Sequence, residues 1–455
     1  MTENKDFVIV GDTLVKYTGS AETVVVPNGV AVIGERAFAE NHNIVTVDLN
    51  EVVSVGDYAF FFCRNLLSVT AKKVKTIGHS AFRANWIKEM VLRDVERIDD
   101  YAFYGCIPIK EIGSTSNLVY IGSSAFAGAR LEKIEINKNA TRIGGSAFSS
   151  CEFTEFDYPD GIEEVEGCVF AGCHRLKRIT FPKALKRIST AAFQNCERLR
   201  RVEIPEGVTF IHYDAFIGCN IAEVYNKSQL DIRYGRHKRI GFLPEHAVNV
   251  FTPNDGYDTH EEIDGYVFCT DSHDNNRTFL IDYVGNEKNL VLPRDYHGRS
   301  YGIFRCVFAE RDIESVDLGD SVTEIGAWAF FKCKNLKSVK FGSGLKYIYR
   351  NAFHACENLT DAELGDNVEL LGSCVFLNTG IRYLKFGAAM KEIRGNAIGC
   401  CRNLSTVYYT GTPEQFDGIR VTAGLRDWYK KSVRFYSETE KPNCWRYVDG
   451  KIKEY

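Results

Sequence analysis

Large apolar residues recur along this chain in one column at a spacing of 21 to 23 residues, fourteen times with one interruption. The column runs Phe38, Phe60, Phe82, Phe103, Phe126, Phe148, Phe170, Phe193 and Phe216, then resumes at Phe308, Phe330, Phe353, Phe376 and Ile398. Five residues before each member stands an aliphatic residue, from Ile33, Val55 and Ile77 to Ile325, Ile348, Leu371 and Ile393. After the column comes an L-x-x-I-x-[LIF] pattern, as in Leu176, Ile179 and Phe181 or Leu199, Val202 and Ile204. Its end alternates with period two, which predicts a short strand with one buried face. The Ala-Phe segment lies between turn formers such as Ile121-Gly122-Ser123-Ser124 and Gly105 or Gly172, and predicts a helical or 3₁₀ turn crossing back over the core. One short strand plus one such turn per repeat defines an α/β solenoid.

The period falls inside the leucine-rich-repeat range, where one unit cannot bury its own apolar face and stacked units share a continuous core. Thirteen of the chain's 30 Phe residues sit in the column and are expected to form a structural spine, each worth roughly 1.5–3 kcal/mol when fully buried. The motif I-G-x-x-A-F-x-x-C-x-x-L-x-x-I-x-[IFL]-P, as it stands from Ile188 to Pro205, resembles the BspA-like leucine-rich-repeat family. An A-F-x-x-C turn in place of the commoner asparagine-bearing one carries that resemblance, which extends over most of the chain. It implies a curved solenoid of surface or secreted proteins of bacteria and protozoa, some of them adhesins, and no catalytic residue to carry over.

Between Phe216 and Phe308 the period lapses for 92 residues. Leu14-Val-Lys-Tyr17, the loop through Gly19 and the run to Pro27 align without a gap on Leu280-Ile-Asp-Tyr283, the loop through Gly285 and the run to Pro293. Two β-rich runs around a glycine turn predict a β-hairpin, and its place before each array suggests a cap over the solenoid's end. The expected plan is a hairpin cap at residues 1–30, nine repeats over 31–226, a linker or closing segment at 227–260 containing Pro244, Pro253 and Gly256, a second hairpin cap at 261–302, five repeats over 303–409 and a carboxyl-terminal cap at 410–455. That last segment holds Phe416, Trp428, Trp445 and Tyr447, aromatics beyond the repeat pattern.

Nine of the fifteen cysteines sit three residues after a column member: Cys63, Cys106, Cys151, Cys173, Cys196, Cys219, Cys333, Cys356 and Cys401. Cys168, Cys306 and Cys374 sit two residues before one. Repeated in register, they suit a buried ladder in which cysteine acts as a compact hydrophobe, and an odd total argues against complete internal pairing. Zinc would need thiolates or imidazoles paired at short spacing, so no metal or other cofactor is expected.

The net charge of −4 gives no global case for nucleic acid or an anionic membrane. No apolar run approaches the roughly 18 residues of a membrane helix, so membrane insertion is not expected, and nothing calls for more than a monomer. The amino terminus passes from Asp6 into Phe7-Val-Ile-Val10 without the regions of a signal peptide. A cytoplasmic chain, a mature form or another export route all satisfy that. No phosphate loop, zinc helix or nucleotide turn is found, and Gly78-His-Ser-Ala-Phe82 lacks the final glycine of a nucleophile elbow. An enzyme is not expected.

What remains is binding through outward strand positions. Arg175, Lys177, Arg178, Arg198, Arg200 and Arg201 gather in two successive repeats, on rows that stacking would bring within about 5 Å, against a surface acidic at Glu89, Glu111, Glu135, Glu155, Asp157, Glu203 and Glu223. Such a patch suits a sulfated glycan, phosphate or carboxylate-rich peptide, and Tyr225 with Tyr408-Tyr409 is a second candidate. Two functions stay open. One is a non-enzymatic adhesion module binding a host or matrix protein or a glycan, on the cell surface as the resemblance implies. The other is an intracellular scaffold for a protein partner, favoured by free cysteines, which persist where thiols stay reduced.

Overall fold

The computed structural model describes residues 5–232, 247–251, 260–271, 277–422 and 433–455. Contacts divide the chain into two units, Met1–Asp255 and Gly256–Tyr455. Each is a stack of repeats built almost entirely from strands and turns. The leucine-rich-repeat solenoid is present, with two changes to the expected repeat.

The first change is that repeats carry two short strands rather than one. The L-x-x-I-x strands, such as Thr23–Val25, Thr46–Asp48, Ser68–Ala71 and Glu89–Leu92, pair in parallel and place Val24, Val47, Val69 and Met90 in one row. A second ladder runs through two-residue strands at the aliphatic column: Val32–Ile33, Ser54–Val55, Thr76–Ile77, Arg97–Ile98, Tyr120–Ile121 and Arg142–Ile143. Ile33, Val55, Ile77, Ile98, Ile121 and Ile143 therefore lie level with one another, and all are buried. In the second unit Ile303, Ile325, Ile348, Leu371 and Ile393 repeat the arrangement.

The second change is at the Ala-Phe segment, which is neither α-helical nor 3₁₀. A left-handed residue stands two before the column Phe and another two after it, as at Tyr58 and Phe62 around Phe60, or Ser146 and Ser150 around Phe148. Two such residues within one turn stop a right-handed helix. The amides alternate instead. Ala37 and Ala39 bond back three residues, to Gly34 and Arg36, while Phe38 and Glu40 donate to Ala59 and Phe61 of the next repeat. Helix-like local bonds are thus interleaved with a ladder between repeats. The described α-helix, Pro413–Asp417, lies outside the repeats.

Most column side chains stack with nearly parallel rings, Phe148 and Phe170 being tilted by 31°. Phe60, Phe82, Phe103 and Phe126 follow one another at 5.1, 5.3 and 5.1 Å with planes within 7°, and Phe308, Phe330, Phe353 and Phe376 at 4.9, 5.1 and 5.6 Å with planes within 12°. Offset stacking of this kind adds to the burial itself.

Both units begin with a hairpin, formed by other residues than expected. Thr13–Tyr17 pairs antiparallel with Phe7–Val10 across Gly11, and Thr278–Tyr283 with Tyr266–Thr270. The run after Gly19 does not fold back. It leaves as Thr23–Val25 to start the other ladder, because Val24 belongs in the core row. Tyr17 packs tilted on Phe38 at 5.1 Å and Tyr283 on Phe308 at 5.8 Å, so each hairpin covers the end of the aromatic column.

Asn249–Phe251 extends the first unit's sheet beside Glu223–Asn226, while Pro244, Pro253 and Gly256 lie outside the described residues. At the carboxyl end Val433–Tyr436 and Cys444–Val448 continue the parallel ladder, and Lys451–Glu454 turns back antiparallel. Trp445, fully buried, donates its indole N–H to the Tyr409 carbonyl at 3.3 Å. Trp428 lies outside the described residues.

Candidate binding surfaces

The nine cysteines of the ladder do more than fill space. Each Sγ–H donates to the carbonyl of the column residue one repeat earlier: Cys63 to Phe38 at 3.1 Å, Cys106 to Phe82 at 3.0 Å, Cys173 to Phe148 at 3.1 Å and Cys356 to Phe330 at 3.0 Å, with Cys151, Cys196, Cys219, Cys333 and Cys401 alike. Where the third repeat has no cysteine, Asn85 takes the place and donates to Phe60 at 2.8 Å. The position favours a small buried donor, although Ala129 fills it without one in the fifth repeat. Burial pushes the Cys63, Cys106 and Cys173 thiols up to about 12, so they keep the proton they donate. Cys168 and Cys374 are half-exposed at left-handed turn positions and stand apart from this ladder. A buried protonated thiol persists without a reducing compartment, whereas Cys400 is exposed and Cys168, Cys374, Cys401 and Cys444 are half-exposed.

Of the six basic residues, Arg178 stands on a strand paired with Glu155–Asp157 and Arg201 on one paired with Glu223–Asn226, while Arg175, Lys177, Arg198 and Arg200 lie in the turns and connections before those strands. Arg178 reaches Glu155 and Asp157, both at 2.9 Å. The Thr180 hydroxyl, and after it Arg178, hold the Asp157 carboxyl below its usual value against the opposing effect of burial. Arg175 meets Glu152 at 3.0 Å, and Arg201 meets the fully buried Glu223 at 2.5 Å. Arg200 is only 6% exposed and donates to the carbonyls of Glu197 and Asn220. Lys177 and Arg198 are engaged as well. Much of the patch's charge is used between neighbouring repeats. Of the second candidate, Tyr225 stacks on Phe251 at 5.0 Å, and Tyr408 and Tyr409 are buried.

Another surface has a different character. On the turn face of the first four repeats, Tyr58, His79 and Tyr101 run edge to face at 5.3 and 5.6 Å. Phe61 joins Tyr58 at 5.7 Å, Tyr104 joins Tyr101 at 5.8 Å, and Phe62 lies beside Phe61. Arg36 sits over Tyr58 at 4.8 Å, Arg64 over Phe62 at 4.1 Å and Arg83 over Tyr104 at 5.0 Å. Trp86 is 55% exposed nearby, and Tyr104 and Ile107 are exposed too. Tyr58, Phe62 and Tyr101 occupy left-handed positions, with φ of 55°, 60° and 58°. Asn or Gly would sit there at less cost, since a left-handed residue with a side chain costs roughly 1–2 kcal/mol. In the second unit Trp328 holds the same place, at φ 56°, with Arg305 and Arg350 over its ring at 5.2 and 4.1 Å.

Sequence reasoning passed over this ridge. Tyr58 and Tyr101 were visible as occupants of the position that is Ser80 and Ser124 in other repeats, and the signal was a bulky aromatic where the turn favours small polar residues.

Among the described residues no group of three or more His, Cys, Asp or Glu is placed to hold a metal ion, and no helix is long and apolar enough to cross a membrane.

Stacked repeats with two parallel ladders, a central phenylalanine column and hairpin ends define a leucine-rich-repeat protein. More narrowly, the chain belongs to the BspA type leucine rich repeat family, whose pattern matches residues 8–129, 119–233 and 302–418. It is similar to a leucine rich cell surface protein of Faecalibacterium prausnitzii at 18% identity, covering 92% of this chain and 96% of that one with a TM-score of 0.39. It is similar also to a leucine-rich repeat protein of Bacteroides ovatus at 22% identity, covering 93% and 96% with a TM-score of 0.38. The pneumococcal vaccine antigen PcpA matches at 16% identity, covering 94% and 93% with a TM-score of 0.35. No curated protein matches.

Proposed function

We propose that the protein is a non-enzymatic adhesion and interaction module that binds a protein or glycan ligand along the turn face of its first array. The supporting observation is that the bulky rings of Tyr58, Phe62 and Tyr101 stand half-buried at left-handed turn positions that small residues such as Ser80, Ala84 and Ser124 fill in other repeats. The repeat imposes that left-handed backbone on whichever residue stands there, such as Ser80, Ser124 or Ser146, so the choice of a bulky ring rather than the backbone itself suggests recognition. The rings offer flat apolar contact, and Arg64 and Arg83 lie over rings beside it, where a guanidinium can pair with carboxylate or sulfate oxygens. Membership in a family with surface relatives fits an adhesion role of this general kind.

The test is a double variant, Tyr58→Asn with Tyr101→Asn. Asparagine accepts the left-handed backbone, so the melting temperature is expected to hold or rise, while binding to an array of matrix proteins and glycans falls at least ten-fold. Undiminished binding to every array component that retains the wild type would overturn the proposal.

A further inference from the structure

The two hairpins are built alike to the residue. Phe7–Val10 meets Thr13–Tyr17 with a register shift between Val8 and Ile9, and Tyr266–Thr270 meets Thr278–Tyr283 with the same shift between Val267 and Phe268. Phe7 packs on Tyr17 at 5.0 Å, and Tyr266 on Tyr283 at 4.7 Å. Phe7, Val8, Ile9 and Val10 thus correspond to Tyr266, Val267, Phe268 and Cys269.

Their outer edges differ. In the second unit His260–Ile263 adds an antiparallel strand, pairing Ile263 with Tyr266, Glu262 with Val267 and Glu261 with Phe268. In the first unit Phe7–Val10 ends the sheet among the described residues. Val8 is 45% and Val10 67% exposed, whereas Val267 and Cys269 are buried. In the second unit the edge strands His260–Ile263 and Lys451–Glu454, each the outer strand of a hairpin, carry charge, at Glu261 and Glu262 or at Lys451, Lys453 and Glu454. The Phe-Val-Ile-Val strand carries none. An uncharged apolar edge is an open template for another strand.

We propose that a second copy of this chain fills that edge, joining Phe7–Val10 to its own counterpart as an antiparallel pair about a two-fold axis. The second unit fixes the register. Its two-residue turn at Asp264-Gly265, with φ of 51° and 80°, makes Ile263–Tyr266 a hydrogen-bonded pair and Glu261–Phe268 the next. By correspondence, Phe7 and Ile9 present their backbone N–H and C=O groups outward. Two copies satisfy both sets when Phe7 of each meets Ile9 of the other, which leaves Val8 facing Val8 across the axis. The pairing is self-complementary and apolar and leaves no charge opposed, and this selects a copy over an unrelated partner. A four-residue strand covers far less than the roughly 1,200 Å² where standard interfaces begin, so a dissociation constant on the order of 100 μM is expected. The pairing is independent of the ligand face.

Sedimentation equilibrium of the full chain from low micromolar to millimolar concentration tests it. The wild type is expected to pass from monomer to dimer, and Val8→Lys, which places two like charges on the axis, to weaken the dimer at least ten-fold. Val10→Lys, which falls opposite Asp6 of the other copy, is expected to leave it intact. Val8→Cys in a Cys400→Ser background should form a covalent dimer on oxidation that reductant reverses. A chain monomeric throughout, a dimer indifferent to Val8→Lys, or equal weakening by both lysines would each overturn the proposal, the last by showing unregistered apolar sticking.

Discussion

A cysteine in this chain is best understood by the carbonyl it serves. Treated as a compact hydrophobe, Cys173 would tolerate valine. As a donor to the Phe148 carbonyl it should tolerate serine better. We expect Cys173→Val to cost about 1 kcal/mol more than Cys173→Ser, read from urea midpoints, and the reverse order would restore the hydrophobe account. The same thiols make stability depend on pH. Burial raises Cys63, Cys106 and Cys173 from 9.0 to about 12. The unfolded chain therefore loses these protons first, and their contribution is complete below pH 9 and lost as pH rises toward 12. Melting temperatures across that range should fall, and fall less in a variant with all three changed to serine. The cysteine column was legible in the sequence because it repeats with the period. Its donor role was not, since the acceptor lies about 25 residues upstream in the preceding turn. The basic patch shows a related effect. Arg178 was visible, but its partner Glu155 stands one period earlier at the opposite strand position, and a look one repeat back would have paired them.

At the scale of elements, the repeat's local chemistry misleads. Ala-Phe between turn formers suggests a helical turn when only bonds within the segment are considered, and the chain instead sends alternate amides to the next repeat. The second ladder escaped notice for a simpler reason. Two residues are too few to show alternation, although the aliphatic column itself was plain. That ladder demands close approach of successive backbones, and Gly122 shows how close, since a Cβ there would lie 2.4 Å from the Asp100 nitrogen. Gly122→Ala is therefore expected to cost about 1–3 kcal/mol in chemical denaturation, and a neutral result would mean the repeats separate more easily than their geometry indicates. The hairpins ahead of the arrays pair Thr13–Tyr17 and Thr278–Tyr283 with the strands before them rather than with the runs after Gly19 and Gly285. The run after Gly19 looks like a returning strand, yet Val24 is claimed by the row of Val47 and Val69 in the other ladder.

For the whole molecule, length no longer implies several globular cores, because a stack grows along one direction. Each unit has its own hairpin end and its own phenylalanine column. Residues 1–255 and 256–455, produced separately, are each expected to unfold cooperatively in calorimetry, and a fragment without a transition would show that its unit cannot stand alone. The functional account rests on the first unit's turn face. Hydrogen–deuterium exchange of the full chain, with and without a ligand drawn from the matrix and glycan arrays, tests it most directly. The account predicts slowed exchange at the turns carrying Tyr58, Phe62, Arg83 and Tyr101. Protection confined to the strands of Arg178 and Arg201, with those turns unchanged, would contradict it.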